Sequence, residues 1–196
     1  MVNRILIRIK VVQMLYSYLL TRSEFKIDAA PETTSKDKKY AYAVYLDLLF
    51  LTLQLSGIRF KRHNGSLSPK IATESLIAKN RVGKALYDND TVKAIILRGG
   101  AAVSEFDPIL QQLSDKISKS AAYRDYKKIK SPTLADDVRF WLTVVNTVIA
   151  KDEQFVELLR QDESFTIAGF NAGVKQFSDT LTSYQDSRMT YVTAGR

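Results

Sequence analysis

The sequence predicts an all-α fold, a multi-helix bundle made of two packed helical subdomains. Apolar residues recur at spacings of three and four along most of the chain, which is the period of an amphipathic helix. Only 4 prolines and 8 glycines occur in 196 residues, too few for the many tight turns of a β-rich fold. We place the subdomains at 1–100 and 101–196, with a boundary near 131 as the alternative.

Two long helices are predicted in the first 62 residues. The first covers 3–22, where apolar residues that include Val12 are numerous enough for burial on more than one side. After a loop with Pro31, a central helix is predicted over 36–62, with apolar residues on several faces. Asn-Gly and Ser-Pro pairs predict a turn at 63–70.

The rest of the chain is predicted to form shorter helices. Gly99-Gly100 and Ser131-Pro132 mark breaks between them. Thr133 is a candidate N-cap, with Asp136 and Asp137 favourably placed in the first turn of the helix that follows. The predicted helices cover 71–87, 89–98, 107–120, 121–128, 133–160 and 170–186, and 187–196 is expected to be frayed.

The charge is positive and unevenly distributed. The formal net charge is +8, which favours polyanionic partners such as nucleic acid. Lys and Arg outnumber Asp and Glu by nine to three in 57–100 and by six to one in 116–130. The stretch 131–170 reverses the ratio, with seven acids against three bases. Basic and acidic surfaces are therefore expected to be separate.

Several classes of protein are disfavoured by composition. The chain has no cysteine and one histidine, His63, so thiolate sites, disulfides and multi-histidine metal sites are excluded. Asp136 and Asp137 are adjacent, so their side chains should diverge on a helix and cannot act as an acid–base pair. No Gly-rich phosphate loop follows a strand. We therefore expect neither an enzyme nor a bound cofactor.

A membrane location is also disfavoured. The apolar stretch 41–60 is nearly long enough to span a bilayer, but Asp47, Gln54 and Arg59 interrupt it. Basic residues within the first ten positions argue against a secretory signal. A buried core helix in a cytoplasmic protein is the preferred interpretation.

Three basic clusters are candidate RNA-binding sites, and each has a simpler explanation. Cations along one helix can contact RNA phosphates, or can form a solvated face. Cations at the end of the predicted central helix can instead complement its dipole. Tyrosines interleaved with cations can stack on bases, or, as we prefer for Tyr123 and Tyr126, can face the core. The RNA-binding candidates are Arg4, Arg8, Lys10, Arg62, Lys119, Arg124, Lys127 and Lys128.

In the first predicted helix, Gln13, Leu15 and Tyr16 form a Gln-x-Leu-Tyr motif that follows Arg4 and Arg8. This helix resembles the opening helix of NusB-like transcription antitermination factors, especially the long Bacteroidetes type, in which arginines lie at the positions of Arg4 and Arg8. Looser similarities are Lys79-Asn80-Arg81 to an Asn-Arg motif and 121–126 to a Tyr-x-x-Tyr segment. Ile5 and Leu6 stand where family arginines are common. We expect the chain to correspond to the amino-terminal part of such a factor, or to a diverged member, because the long factors continue into a helical region that holds the family's Asn-Glu and Asn-Gly motifs and this sequence ends at Arg196 without that region.

The resemblance implies a function in transcription antitermination or ribosomal RNA synthesis. It implies binding to a boxA-like leader RNA together with a NusE-type ribosomal protein, and it is compatible with a homodimer. The alternative is a helical scaffold that binds other proteins without touching RNA.

Overall fold

The computed structural model describes Val12 and residues 25–63, 66–71, 77, 79–98 and 107–194. The predicted all-helical class is confirmed: these residues form eight α-helices that pack on one another, and the only strands among them make one short hairpin. The helices are α1 (Lys36–Leu55), α2 (Arg81–Asp88), α3 (Asp90–Arg98), α4 (Asp107–Lys119), α5 (Ala121–Lys128), α6 (Leu134–Val144), α7 (Glu153–Arg160) and α8 (Ile167–Ala194).

The central helix is shorter than predicted and is followed by a β-hairpin. The hydroxyl of Ser35 accepts the N–H of Lys38 at the start of α1, and the helix stops at Leu55. Gly57 has a φ of 87°, a left-handed conformation that glycine adopts without strain. Strands β1 (Ile58–His63) and β2 (Ser66–Ile71) then pair antiparallel.

The predicted helix over 58–62 and the predicted turn over 66–70 are therefore wrong. Apolar Ile58 and Phe60 fit a strand of period two as well as a helix, so the apolar pattern alone could not separate the two. The Asn64-Gly65 pair lies outside the described residues, although the register pairs His63 with Ser66 on either side of it.

The predicted helix 133–160 is three elements rather than one. Its start is confirmed: Thr133 and Asp136 form a capping box, each side chain accepting the backbone N–H of the other residue. After α6, a π-helical turn covers Val145–Ile149, and Ala150 N–H donates to Val145 O at 2.8 Å. Asp152 then caps α7 by accepting the N–H of Phe155 at 2.8 Å. This second cap starts a new helix and explains the break.

The remaining boundaries differ at the ends. In the predicted 71–87 helix, Ile71 lies on β2 and Asn80 caps α2, so the described helix begins only at Arg81. The last helix extends to Ala194, and the predicted fraying over 187–194 is wrong for the backbone. The predicted helix 3–22 lies outside the described residues except for Val12, which is helical and 63% exposed, so burial at that position is also wrong.

The core is built around the contact between α1 and α8. Leu48 and Leu49 of α1 and Phe177 and Leu181 of α8 are buried. The hydroxyls of Tyr45 and Thr180 join the two helices at 3.1 Å inside this core. Among the described residues, no helix is long and apolar enough to cross a membrane. The division into subdomains at 1–100 and 101–196 stays a prediction.

Two glycines allow α1 and α8 to approach closely. Gly169 and Gly173 are four residues apart and therefore lie on the same face of α8. A Cβ added at Gly173 would lie 2.6 Å from Ala41 O and 2.6 Å from Val44 Cβ. Because one of these atoms belongs to the backbone, a side-chain movement cannot relieve the overlap.

We expect Gly173→Ala to destabilise the protein by about 1–3 kcal/mol, although alanine favours a helix by about 1 kcal/mol over glycine. The free energy of unfolding in urea measures this change. Asn171→Ala, on the exposed face of the same helix, is the control and should be neutral or slightly stabilising. Equal stability of the two variants would contradict the close contact.

Candidate nucleic-acid interface

A short basic segment connects α4 to α5 and holds most of the described RNA-binding candidates. Ile109, Leu113 and Ile117 bury one side of α4. Ser120 ends α4 and begins α5, because its hydroxyl donates to Ile117 O at 2.6 Å and accepts the N–H of Tyr123 at 3.2 Å. The turn therefore brings the end of α4 next to the start of α5.

Four exposed cations on this segment form what we call the basic face: Lys119, Arg124, Lys127 and Lys130. Among the described residues, no carboxylate lies within ion-pair distance of any of them. Arg124 and Lys127 are three residues apart on α5 and therefore project to the same side. The positive charge of this face is not neutralised by the described part of the fold.

Two neighbouring cations differ from these four. Lys128 pairs with Asp125 at 3.2 Å, and both side chains are largely exposed, so this pair is weak. Lys116 donates to the buried carboxylate of Asp152 at 2.6 Å. Lys116 therefore serves the packing of α4 against the start of α7, whereas Lys128 stays accessible to an anionic ligand.

The helix dipole explains part of the basic face. Lys127 and Lys128 lie in the last turn of α5, and Lys119 in that of α4, where cations complement the negative helix end. Arg124 lies in the middle of α5 and Lys130 lies beyond its end. The helix dipole therefore does not explain the positive charges of Arg124 and Lys130.

The tyrosines of this segment pack towards the core, as preferred from the sequence. Tyr123 and Tyr126 are partly buried against the apolar core. The ring of Tyr126 lies 4.7 Å from that of Phe140, centroid to centroid, at an interplanar angle of 35°. With the rings packed in this way, the basic face presents cations and no stacking platform.

A buried carboxylate joins α5 to α2 and α6. The side chain of Asp137 is 0% exposed. Its Oδ1 accepts the hydroxyl of Tyr126 at 2.6 Å, and its Oδ2 accepts Nε of Arg81 at 2.7 Å and the N–H of Arg81 at 3.2 Å. Nη2 of Arg81 also donates to Pro132 O at 2.5 Å. We call Asp137, Tyr126 and Arg81, together with Asn80 and Trp141, the Asp137 network.

Asn80 completes this network. Its Oδ1 caps α2 by accepting the N–H of Val82 at 3.0 Å, and it also accepts Nε1 of Trp141 at 3.1 Å. Its Nδ2 donates to Asp137 O at 3.2 Å. The Asn80-Arg81 pair noted in the sequence therefore holds α2 against α6.

The hydroxyl of Tyr126 is fixed as a hydrogen-bond donor. Burial raises the pKa of Tyr126 well above its usual value, and the hydrogen bond to Asp137 and the negative charge of that carboxylate raise it further. The phenol is therefore neutral at physiological pH and keeps its proton on the bond to Asp137.

The sequence predicted one part of this arrangement. Asp136 and Asp137 diverge as expected, since Asp136 caps α6 while Asp137 points into the core. The partners of Asp137 were missed, because they lie 11 and 56 residues away. One signal was present: Asp137 is four residues before Trp141 and so lies on the apolar face of its helix, where a carboxylate needs a partner.

Four predicted site residues remain: Arg4, Arg8, Lys10 and Arg62. Arg4, Arg8 and Lys10 lie outside the described residues. The backbone of Arg62 lies on β1, opposite Leu67, so the proposed role of Arg62 and His63 at a helix end is wrong. Both residues belong to a strand, where no helix dipole acts on them.

A groove of about 590 Å³ lies elsewhere, between the π-helical turn and α8. Asn146 stands in it, with Nδ2 donating to Leu142 O at 2.8 Å and to Ser178 Oγ at 3.3 Å. Its lining offers amide and hydroxyl groups, two lysines and an apolar floor, and it contains neither a carboxylate nor a histidine. Within the described part of the chain, no group of three acidic, histidine or cysteine residues could hold a metal ion.

Comparison with known proteins adds no family. No family model, no curated protein and no solved structure matches this chain. The NusB-like resemblance therefore stays a hypothesis carried by the quoted motifs.

The buried carboxylate of Asp152 gives a test of the scaffold below the basic face. Burial raises its pKa, but hydrogen bonds from Lys116, the N–H of Phe155 and Gln112, with the charge of Lys116, outweigh that effect and lower the pKa below its usual value. A lowered pKa gives stability that is present above the unfolded-state pKa, about 3.9, and is lost as pH falls through the lower folded-state pKa.

We expect Asp152→Asn to lower the free energy of unfolding by about 1–3 kcal/mol at pH 7, because charge-assisted hydrogen bonds are lost. The difference from the unsubstituted protein should shrink below about pH 4. Urea unfolding at several pH values measures it. Asp115→Asn, at an exposed position of α4, is the control and should be neutral; a difference for Asp152→Asn that does not vary with pH would contradict the lowered pKa.

Proposed function

We propose that this protein binds single-stranded RNA through the basic face. The observation that carries the proposal is the group of exposed cations on one turn and one short helix, with no described carboxylate within ion-pair distance. Each cation that contacts a phosphate releases condensed counterions and so adds affinity. The packed tyrosines favour contact with the RNA backbone over stacking on bases.

The biological part of the proposal follows the sequence resemblance. We propose a function in transcription antitermination or ribosomal RNA synthesis, with a boxA-like leader RNA and a NusE-type ribosomal protein as partners. Such a function would place the protein in the bacterial cytoplasm. It would use Arg4, Arg8 and Lys10 as a second RNA-contacting group on the first helix.

The RNA proposal is tested with Arg124→Gln/Lys127→Gln. The double variant removes two exposed cations and keeps helix propensity nearly unchanged. We expect the slope of log affinity against log salt to fall in magnitude by about 1.4, because each phosphate contact with a single strand contributes about 0.7. Fluorescence anisotropy with an unstructured single-stranded RNA, over a series of salt concentrations, gives this slope.

The control is Lys84→Gln/Lys175→Gln, which removes the same net charge from α2 and α8. Each of these lysines pairs with an aspartate four residues later at 2.6 Å, so the control also loses two weak exposed ion pairs that the test variant does not contain. The control should keep the slope of the unsubstituted protein. An equal fall in the salt slope for the two double variants would mean that only the overall charge acts. If the unsubstituted protein binds no RNA, the protein-binding scaffold is favoured instead.

A further inference from the structure

Helix α5 has an unusual attachment to the fold. None of its eight residues is buried, although Ala122, Tyr123 and Tyr126 are packed partly against the core. A helix of this length is not stable by itself in water. Its orientation therefore depends on specific contacts, more than on burial of a continuous apolar side.

The Asp137 network supplies these contacts at the carboxyl end of α5. The hydroxyl of Tyr126 holds the last turn of the helix to Asp137 at 2.6 Å. Arg81 donates to the same carboxylate and, through Nη2, to Pro132 O, so it also holds the segment that follows α5. One end of the connection from Tyr126 to Pro132 is thus bonded directly to the buried acid, and the other end is joined to it through Arg81.

This attachment lies within the basic face. Lys127 directly follows Tyr126, Arg124 precedes it by two residues, and Lys130 lies between Tyr126 and Pro132. The direction in which these cations project therefore depends on two bonds to Asp137, one from the hydroxyl of Tyr126 and one from the guanidinium of Arg81. The hydroxyl of Tyr126 carries no charge, and Arg81 is paired with Asp137, so we expect the effect of these bonds on RNA binding to be geometric.

We propose that Tyr126 and Arg81 are positioning residues for RNA binding, which orient the cations of the basic face through Asp137. The inference rests on the proposed function. It predicts that the number of phosphates contacted depends on these two bonds, even when every cation of the basic face is retained.

The test is Tyr126→Phe, which removes the hydroxyl and no charge. The salt slope for single-stranded RNA should fall in magnitude by at least about 0.7, the contribution of one phosphate. A purely structural effect would lower the folded fraction and weaken binding equally at all salt concentrations, leaving the slope unchanged. Tyr123→Phe is the matched control, one turn earlier on α5 and partly buried, and it should keep the slope.

A second variant covers the case in which Tyr126→Phe does not fold. Arg81→Lys keeps the positive charge but loses the donor to Pro132 O, and its slope should also fall. Suppose that the unsubstituted protein binds RNA and that every variant that folds, Tyr126→Phe or Arg81→Lys, keeps its salt slope. The positioning role is then wrong, while the proposed function stands. If the unsubstituted protein binds no RNA, both fail together.

Amide hydrogen exchange gives a readout of the same bonds. In Tyr126→Phe, exchange should become faster over 122–128 and stay unchanged over 177–184 of α8, because α5 opens locally. Unchanged exchange over 122–128 would overturn the positioning role. Faster exchange over both segments would indicate global destabilisation and would overturn it as well.

Discussion

The buried carboxylate of Asp137 is the constraint on which the arrangement of α2, α5 and α6 depends. A carboxyl group at 0% exposure is stable in a fold only when its oxygens take part in hydrogen bonds. The acid lies on α6, and its partners come from two other helices: Tyr126 on α5 and Arg81 at the start of α2. Each helix is therefore held in the one position that satisfies the acid. The apolar core alone would not specify the position of α5, since this helix buries no residue completely.

A second constraint, of packing and not of charge, sets the rest of the described fold. The small residues on one side of α8 allow it to lie closely against α1, and the buried side chains of both helices then fill the core. The hydrogen bond between Tyr45 and Thr180 satisfies two polar groups inside this contact. The two constraints are complementary: the α1–α8 contact supplies most of the apolar burial, and the Asp137 network orients a surface helix that contributes little to that burial.

The fold was predictable from the sequence where the signals are local. Thr133 and Asp136 form a capping box that spans only four residues of sequence, and Ser131-Pro132 marks the boundary before it. The end of α1 was not predictable, because Ile58 and Phe60 continue an apolar pattern that fits both a helix and a strand. Gly57 did not mark the end either, since glycine adopts negative φ values as readily as the positive φ that it has here. The basic face was predictable from a local signal as well, since Arg124 and Lys127 are three residues apart and lie on the same exposed turn. The attachment of that face was not, because the bond from Arg81 to Asp137 spans 56 residues and depends on the tertiary fold.

The separation of charge has a physical origin in where the fold uses its acids. Asp136, Asp152 and Glu153 lie at helix amino termini, where a carboxylate accepts backbone N–H groups or complements the dipole. Asp137 is buried in the core, where it accepts hydrogen bonds from Tyr126 and Arg81. These acids therefore act within the scaffold, and none of them lies within ion-pair distance of the cations of α5. The dipole of α5 accommodates Lys127 and Lys128 but gives no reason for Arg124 or Lys130. Within the described residues, a positive surface without a paired acid is thus left on a helix that is held by a buried acid, and the proposed contact with RNA phosphates depends on this arrangement.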